Sequence, residues 1–471
     1  MSSVGRVNTY TLPTSSPEAQ GVDSRAIKAL VEAWEDSGIR PFALRVIRHG
    51  HLVASSTWAP YLPDDNVLKY SLSKTFTASA VGMAVADGLL EIDAPVVSYF
   101  PEITGVGPVA QRMTVRNVLS MASGHIEDTI EKLDPADPIG SFLRLEPDQE
   151  PGSVFCYNQG CTLTQSALVQ KVTGLRLHEY LRPRLFDPLG IGPIEWLTLG
   201  EYDQGFSGLH ITPDAVARLG LTILNGGVYG DQRLLTQEWT DEAMSVQVMQ
   251  GPGGNVDWSQ GYGFQMWRSR HGWRGDGAFG QLCLVIRDLD LVVAACAQVD
   301  DMQLELDLVW QHLLPGVYEE ALPDDGTDLA AFLAARELPT IASTHEGAPG
   351  RYELTASGSA AAMVTASGFV DLDGTTLTFD DGTGPVSVPL GDGAWERVAT
   401  TLSDGSVVHT AGTGGWTEPG ILTAKIVPLH SPHVLLVRAD TVAGTVDLDW
   451  QTQPLGTVSL ARRALLARSF G

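Results

Sequence analysis

Ser71 and Lys74 are the residues whose types and spacing point most directly to chemistry, and they form the only Ser-x-x-Lys pair in the chain. Residues three apart on a helix share a face, so the lysine amine can reach the serine hydroxyl. That hydroxyl is a weak nucleophile until a neighbour takes its proton, and a lysine does this only when its pKa is lowered. A buried helix N-terminus provides the burial and the positive potential that lower it. The pair predicts nucleophilic attack by Ser71.

The elements that position this pair follow from local patterns. Residues 42–57 predict a β-hairpin, because two apolar runs flank a His-Gly-His turn. A helix is predicted after Ser71, since residues 72–87 contain no Pro and a single Gly, Gly82. Its side chains are mostly small or apolar on all faces, which is typical of a buried helix, and Asp87-Gly88 ends it.

The remainder of the first 320 residues completes one domain. Residues 281–286 and 291–297 predict two buried strands, and a helix is expected from about 302 to 314. The order of hairpin, helices, strands and helix predicts one antiparallel sheet built from both ends of the domain and flanked by helices. The fold class is therefore α+β, with a first domain over residues 1–320.

The sequence changes character after this domain. Residues 321–345 predict a linker with a short Ala-rich helix, which leads to Ala348-Pro-Gly. Residues 346–471 alternate short apolar and polar runs with glycines, and they predict a smaller antiparallel β domain. This domain could shape the cleft, mediate dimerisation or only stabilise the chain, and its sequence does not choose among these roles.

Several motifs together resemble the penicillin-recognising serine hydrolases, the group of class C β-lactamase-like esterases, peptidases and lactamases. The Ser71 segment is followed by Ala-Asp-Gly-Leu-Leu-Glu-Ile-Asp-Ala-Pro-Val, and further matches extend over about 300 residues. They are Val118-Leu-Ser-Met-Ala-Ser-Gly, Pro151-Gly-Ser-Val-Phe-Cys-Tyr-Asn, Tyr180-Leu-Arg-Pro-Arg-Leu-Phe-Asp-Pro-Leu-Gly-Ile and Gly275-Asp-Gly-Ala-Phe-Gly. The resemblance implies a β-lactamase/transpeptidase-like fold for the first domain.

The second motif of that family places a tyrosine beside the nucleophile, usually in Tyr-x-Asn, and the matching stretch here is Tyr157-Asn158-Gln159. The resemblance implies that Tyr157 exchanges a hydrogen bond with Ser71 and protonates the leaving group. Gln159 replaces the asparagine of the family, so it is a candidate contact to a substrate amide.

The third family motif is Lys-Thr-Gly or His-x-Gly, and Gly275-Asp276-Gly277 takes its place. The resemblance implies that Gly277 lets a substrate lie against the strand. It also implies that the backbone N–H groups of Ala278 and Ser71 form the oxyanion hole, because neither role needs a side chain. The cation or imidazole that helps hold a substrate carboxylate in β-lactamases is missing at Gly275.

This absence favours a neutral ester or amide as the substrate, unless Arg274 or His271 reaches into the site from elsewhere. Strand alternation turns Arg274 away from the face that Trp273 and Gly275 share, so Arg274 is not expected to replace the missing cation. Trp273 is either an apolar wall of the site or a core residue. The candidate substrate contacts are Gln159, Trp273, Gly275 and Asp276.

Composition excludes several other classes. The formal charge of -26 would repel phosphate backbones and anionic lipid, so neither nucleic acid nor a membrane surface is an expected partner. The first ten residues lack the apolar core of a secretory signal and no stretch has about twenty apolar residues, so a cytoplasmic location is predicted. No Gly-x-Ser-x-Gly elbow, His-Glu-x-x-His pair or zinc-like cysteine spacing occurs, and no metal or cofactor is expected.

These observations predict a serine hydrolase that forms an acyl-enzyme through Ser71, Lys74 and Tyr157, most simply on a small ester. An amidase, peptidase or β-lactamase of the same fold is the first alternative. The second is a catalytically silent binding protein, which the departures at Gln159 and Gly275 would explain. Self-association is left open.

Overall fold

A computed structural model gives the fold, and it describes residues 10–251, 253–324, 326–347, 350–402, 405–456 and 460. The start of the N-terminal segment used for the location prediction and the Ala348-Pro349 pair lie outside these residues. The chain divides into two compact units. The first comprises residues 1–56, 69–296 and 301–333, and the second comprises 57–68, 297–300 and 334–471. Short segments from the predicted first domain thus belong to the second unit.

The helices form mostly in the first unit, where capping residues mark several of their starts. They are α1 (Ser24–Asp36), α2 (Ser73–Ala86), α3 (Val115–Leu119), α4 (Pro138–Arg144), α5 (Gln159–Thr173), α6 (Leu177–Leu181), α7 (Pro213–Leu224), α8 (Gln237–Ala243), α9 (Met302–Leu308), α10 (Leu329–Ala334) and α11 (Ala361–Val364). A 3₁₀ turn, Tyr70–Leu72, immediately precedes α2.

The strands are short except where they build the two main sheets. Up to residue 298 they are β1 (Arg40–Arg48), β2 (His51–Thr57), β3 (Val67–Leu68), β4 (Glu195–Trp196), β5 (Thr198–Leu199), β6 (Tyr202–Asp203), β7 (Leu209–Ile211), β8 (Val228–Tyr229), β9 (Gln232–Arg233), β10 (Trp267–Arg268), β11 (Trp273–Gly277), β12 (Gln281–Ile286) and β13 (Leu291–Gln298). Later strands are β14 (Arg351–Ser357), β15 (Phe369–Asp373), β16 (Thr376–Asp380), β17 (Pro385–Pro389), β18 (Glu396–Thr401), β19 (Val407–Glu418), β20 (Ile421–Pro428), β21 (Leu435–Asp440) and β22 (Thr445–Trp450).

The first unit contains a six-stranded sheet in the order β10-β11-β12-β13-β1-β2. The strands from β10 to β13 pair antiparallel, with Gly275 opposite Cys283 and Gly277 opposite Gln281. The hairpin β1-β2 and the strands β12 and β13 confirm the sequence prediction that both ends of this unit build one sheet. The predicted α+β class, with an antiparallel sheet flanked by helices, is likewise confirmed.

Helix α2 is buried on nearly every face, as its composition predicts. It packs against α5 and against the strand β11 at the side of the sheet that carries the third motif. The residue before α5, Asn158, caps that helix by accepting a hydrogen bond from Gly160 N at 2.9 Å. The N-terminal ends of α2 and α5 therefore carry the first two motifs.

The second unit contains a nine-stranded sheet in the order β17-β16-β15-β14-β22-β21-β20-β19-β18. Side chains alternate between buried and exposed along strands such as β22, which explains why the period of two was readable in the sequence. Gly391 follows β17, at one end of this order, and forms a parallel bridge with Thr413 of β19, near the other end. The sheet is therefore a nearly closed barrel. Its interior is an apolar core of its own.

No helix within the described ranges has the length and apolar character needed to cross a membrane.

The second unit buries one histidine, His433, completely. Its Nδ1 lies 3.0 Å from the carbonyl oxygen of Thr452, and its ring packs 6.1 Å from that of Trp450. Burial lowers the pKa of His433 to about 3, although the bond to Thr452 opposes this shift. The imidazole is therefore neutral in the folded unit, with the proton on Nδ1 donated to Thr452.

This burial predicts that stability falls in mild acid. The unfolded chain protonates this histidine below about pH 6.5, whereas the folded chain does so only near pH 3, so stability present above pH 6.5 is lost as the pH falls. The linkage predicts that His433 contributes a loss of about 2 kcal/mol between pH 8 and pH 5, measured by urea unfolding. The loss should shrink in His433→Asn and persist in His409→Asn, which alters an exposed histidine of β19. Equal losses in the two variants would contradict the prediction.

Candidate active site

Ser71 lies in the 3₁₀ turn before α2 rather than inside the helix. Lys74 follows in the first turn of α2, and the predicted contact between the two side chains is kept. The preceding residue, Tyr70, has a left-handed backbone with φ 46°, as does Phe279 with φ 67°. Their rings pack edge to face at 5.3 Å. Backbone strain of this kind is typical of functional sites, and here it sets the turn that carries Ser71.

Lys74 is buried, and its Nζ lies 3.0 Å from Ser71 Oγ and 2.8 Å from the carbonyl oxygen of Phe206. Burial lowers the pKa of Lys74 to about 7, while the negative charges of Asp128 and Asp276 oppose the shift. A substantial fraction of the amine is therefore unprotonated at neutral pH. In that form it can accept the proton of the Ser71 hydroxyl.

Tyr157 lies on the other side of this pair. Its phenol interacts with Ser71, which lowers the Tyr157 pKa, and its ring centroid is 4.7 Å from Lys74 Nζ. The ring is stacked on Trp267 with centroids 5.5 Å apart and an interplanar angle of 17°. Burial raises the pKa of Tyr157 well above its usual range, so the phenol keeps its proton and can donate it. The structure thus brings the three predicted catalytic residues together.

Asn158 and Gln159 follow Tyr157 at the start of α5. Asn158 is fully buried, and besides capping the helix its Oδ1 accepts a hydrogen bond from Thr129 Oγ1 at 2.8 Å. Gln159 is 9% exposed, and its Oε1 has no hydrogen-bond partner in the part of the chain that the structure describes. A contact from Gln159 to a substrate amide stays a prediction.

The third motif lies on β11, directly against the Ser71 turn. A Cβ atom on Gly275 would be 2.3 Å from Thr75 Oγ1 and 2.8 Å from Leu72 Cδ1. A Cβ atom on Gly277 would be 2.1 Å from the carbonyl oxygen of Lys69. Glycine at both positions therefore lets the strand approach the turn and α2. A side chain at Gly275, cationic or not, would therefore meet Thr75 and Leu72 from its first carbon atom.

Ala278 follows this close approach and is half-buried. A Cβ atom on the preceding residue, Gly277, would lie 3.0 Å from the backbone nitrogen of Leu72, which is the residue after Ser71. The segment therefore runs beside the backbone of the nucleophile. An oxyanion hole formed by the N–H groups of Ala278 and Ser71 stays a prediction.

The alternate side chains of β11 lie on two faces. Trp273 is buried, with the Arg268 guanidinium 5.5 Å from its ring, which places it among core residues. Arg274 lies on the opposite face, as alternation predicts, and is fully buried with its Nε donating to Asp276 Oδ2 at 3.0 Å. Asp276 is thus bound within the protein.

Asp128 is a site residue that the sequence analysis missed. Its Oδ1 accepts hydrogen bonds from Gln159 N at 2.9 Å and Ile130 N at 3.1 Å, and its charge acts on Lys74. Burial raises the pKa of Asp128. No motif singles out this aspartate, since its position depends on a loop folding back onto the start of α5. Within the described ranges, no group of three or more His, Cys, Asp and Glu side chains could hold a metal ion.

Comparison with known proteins gives this site a family context. The model of the Beta-lactamase family matches residues 25–310. The 6-aminohexanoate-dimer hydrolase of Paenarthrobacter ureafaciens is 28% identical over 225 residues, which are 43% of this chain and 57% of that protein. The lovastatin esterase of Penicillium rubens is 27% identical over 198 residues, 36% of this chain and 49% of that protein. The chain thus spans about half the length of these curated relatives.

Solved structures show the same fold. A protein assigned as a 6-aminohexanoate-dimer hydrolase from Bacillus anthracis aligns with a TM-score of 0.52 at 20% identity, over 64% of this chain and 87% of its own. The crystal structure of SurE aligns with a TM-score of 0.51 at 17% identity, over 90% of this chain and 96% of its own. At these identities the likeness concerns the fold alone.

The close packing at Gly275 predicts a cost for any side chain there. Gly275→Ala should lower the free energy of unfolding by about 1–3 kcal/mol, because the new methyl group overlaps Thr75 and Leu72. Adding Thr75→Ala should recover part of this loss by removing the nearer contact. Gly192→Ala is the matched control, since no atom lies within 4 Å of its Cβ position. Urea unfolding that shows Gly275→Ala to be as stable as Gly192→Ala would refute the packing argument.

Proposed function

The chain belongs to the Beta-lactamase family, and from this premise we propose that it is a serine hydrolase that forms an acyl-enzyme on Ser71, with a small ester as substrate. The observation that carries the proposal is the 3.0 Å contact between Ser71 Oγ and the buried Nζ of Lys74. A lysine at this distance, with its pKa lowered to about 7, is a base matched to neutral pH.

In the proposed acylation, Ser71 Oγ attacks the carbonyl carbon and its proton passes to Lys74 Nζ. The oxyanion is stabilised by the backbone N–H groups of Ser71 and Ala278. The bond from carbon to the leaving oxygen then breaks, and the leaving group takes the phenol proton of Tyr157, which Lys74 replaces. Water attacks the acyl-enzyme by the reverse proton path, so that the acid is released and Ser71 regains its proton.

A neutral substrate is favoured over an anionic one. Gly275 stands where the family motif has a carboxylate-binding cation or imidazole, and a Cβ atom there would meet Leu72 and Thr75. Asp128 adds a carboxylate close to Lys74, and this charge would repel an anionic ligand. Ester and amide chemistry both occur among the relatives by name, in the lovastatin esterase and the 6-aminohexanoate-dimer hydrolase. We prefer the ester because its carbonyl carbon is more electrophilic than that of an amide and an alkoxide is expelled more readily than an amide anion.

A catalytically silent binding protein is the second candidate. It was suggested by the departures at Gln159 and Gly275. The Gly275 departure is a matter of packing, however, and it leaves the contacts among Ser71, Lys74 and Tyr157 intact. Catalysis therefore accounts for more of the observed geometry than binding alone.

A hydrolysis screen tests the substrate preference. Short-chain p-nitrophenyl esters should be hydrolysed faster than a p-nitroanilide or nitrocefin, and Ser71→Ala should lower the ester rate by about 10⁴-fold or more. Ser79→Ala is the control, because this serine lies on the same helix and its hydroxyl donates to the Thr75 carbonyl oxygen at 2.8 Å. Rapid nitrocefin turnover without ester hydrolysis would overturn the preference. An active Ser71→Ala enzyme would overturn the mechanism.

The titration of Lys74 predicts the pH profile. Because only the neutral amine accepts a proton, kcat/KM for an ester should rise with pH through about 7 and level off above it. Lys74→Arg, which stays charged, should lower activity by about 10²–10⁴-fold across the range. A profile that is flat from pH 5 to pH 9 would show that Lys74 is not the base.

A further inference from the structure

Four hydroxyl side chains are buried along α2, and the proposed reaction uses none of them. They belong to Ser73, Thr75, Thr77 and Ser79. A hydroxyl inside a helix commonly donates to the carbonyl oxygen one turn back, which leaves it no role outside the helix. Ser79 does this, with its Oγ 2.8 Å from the Thr75 carbonyl oxygen. Thr77 differs, because it contacts the segment that holds the amine of Lys74.

The hydroxyl of Thr77 donates to a distant part of the chain. Its Oγ1 lies 2.9 Å from the carbonyl oxygen of Gly205 and 3.3 Å from that of Ser73, one turn back. Since a hydroxyl has a single proton, the shorter contact, to Gly205, takes it. Thr77 and Gly205 are both buried, and a buried carbonyl that loses its donor is costly. This bond therefore holds the Gly205 segment against α2.

Gly205 is the central residue of a tight turn. Phe206 N donates to the Gln204 carbonyl oxygen at 2.6 Å, and Gly205 between them has φ 67°. This pattern is the rare form of the γ-turn, and its positive φ suits glycine. Both ends of the peptide group between Gly205 and Phe206 are thus hydrogen-bonded, the carbonyl to Thr77 and the N–H to Gln204. The next carbonyl group, that of Phe206, follows directly from this fixed peptide.

That next carbonyl contacts the catalytic amine. The Phe206 carbonyl oxygen accepts from Lys74 Nζ at 2.8 Å, and the same Nζ lies 3.0 Å from Ser71 Oγ. A neutral amine has two N–H bonds and one lone pair, and a carbonyl oxygen accepts only an N–H. The contact with Phe206 therefore leaves the lone pair available to the Ser71 hydroxyl. Beyond Phe206, Leu209 N donates to Ser73 Oγ at 3.2 Å, so α2 binds this segment on both sides of the carbonyl.

We propose that Thr77 is a positioning residue for the acyl transfer, whose hydroxyl holds the Gly205 turn so that the Phe206 carbonyl takes an N–H of Lys74 and leaves the lone pair to Ser71. Thr77 touches neither the substrate nor the reacting atoms in this role. The inference rests on the proposed function, since it concerns the proton transfer from Ser71 to Lys74.

Substitutions at Thr77 separate the hydroxyl from the shape of the side chain. The measurement is the labelling of Ser71 by a fluorophosphonate probe, analysed as a first-order rate constant and a half-saturation concentration. Thr77→Val keeps the shape but loses the donor, and it should lower the rate constant by about 10–100-fold, because the base is misplaced. The half-saturation concentration should not change, because Thr77 does not touch the probe. Thr77→Ser keeps the donor and should recover most of the rate constant.

Thr222→Val is the matched control. Thr222 is a buried threonine of α7, and its Oγ1 donates at 2.7 Å to the Arg218 carbonyl oxygen one turn back. Its substitution should leave both labelling parameters unchanged. Thermal unfolding checks that each variant is folded. Thr77→Ala removes the same hydroxyl without placing a methyl group against the Gly205 carbonyl, so it tests the same loss if Thr77→Val does not fold.

The outcomes keep the two proposals apart. A folded Thr77→Val with the rate constant of Thr222→Val would overturn the role of Thr77. An equal loss in Thr77→Ser would also overturn it, since the hydroxyl would not be the cause, and so would a loss confined to the half-saturation concentration. If the wild-type protein is not labelled at Ser71, the proposed function itself fails.

Discussion

The removal of the Lys74 amine from water is the constraint on which the rest of the site depends. An ammonium loses several kcal/mol of solvation on burial, and the protein recovers only part of this through the Phe206 carbonyl and the Tyr157 ring. The proton of Lys74 is consequently held weakly. The negative charges of Asp128 and Asp276 oppose a further fall of the Lys74 pKa. Both the protonated and the neutral amine are therefore populated near pH 7.

Such burial requires backbone segments to approach one another closely, and glycine makes this feasible. On α2, a Cβ atom at Gly82 would lie 2.4 Å from the Trp239 ring. On β11, Gly275 and Gly277 bring the strand against the turn that carries Ser71. The uniformly apolar α2 and the glycine-rich motif are therefore two parts of one arrangement that keeps water away from the amine.

The features that the sequence predicted are those determined by local pattern. The Ser71–Lys74 contact depends on a spacing of three, and the β1-β2 hairpin and the strands β12 and β13 depend on apolar runs between turns. The features that it missed depend on segments far apart in the chain. Asp128 reaches the site through a loop and Trp267 through the two-residue strand β10. The pattern at Gly275 showed that a cation was absent but not that a Cβ atom there would meet Leu72 and Thr75. The period of two predicted the face of Arg274 correctly but not its ion pair with Asp276.

The close packing at Gly275 also limits how this enzyme family could diversify from the present chain. A lysine or histidine introduced there meets Thr75 and Leu72, which belong to the helix and turn that position the nucleophile. Acquiring recognition of substrate carboxylates would thus take coordinated replacements, with intermediates that lose stability before any new specificity can be selected. Changes in the surrounding loops face no comparable barrier, because they leave this packing intact.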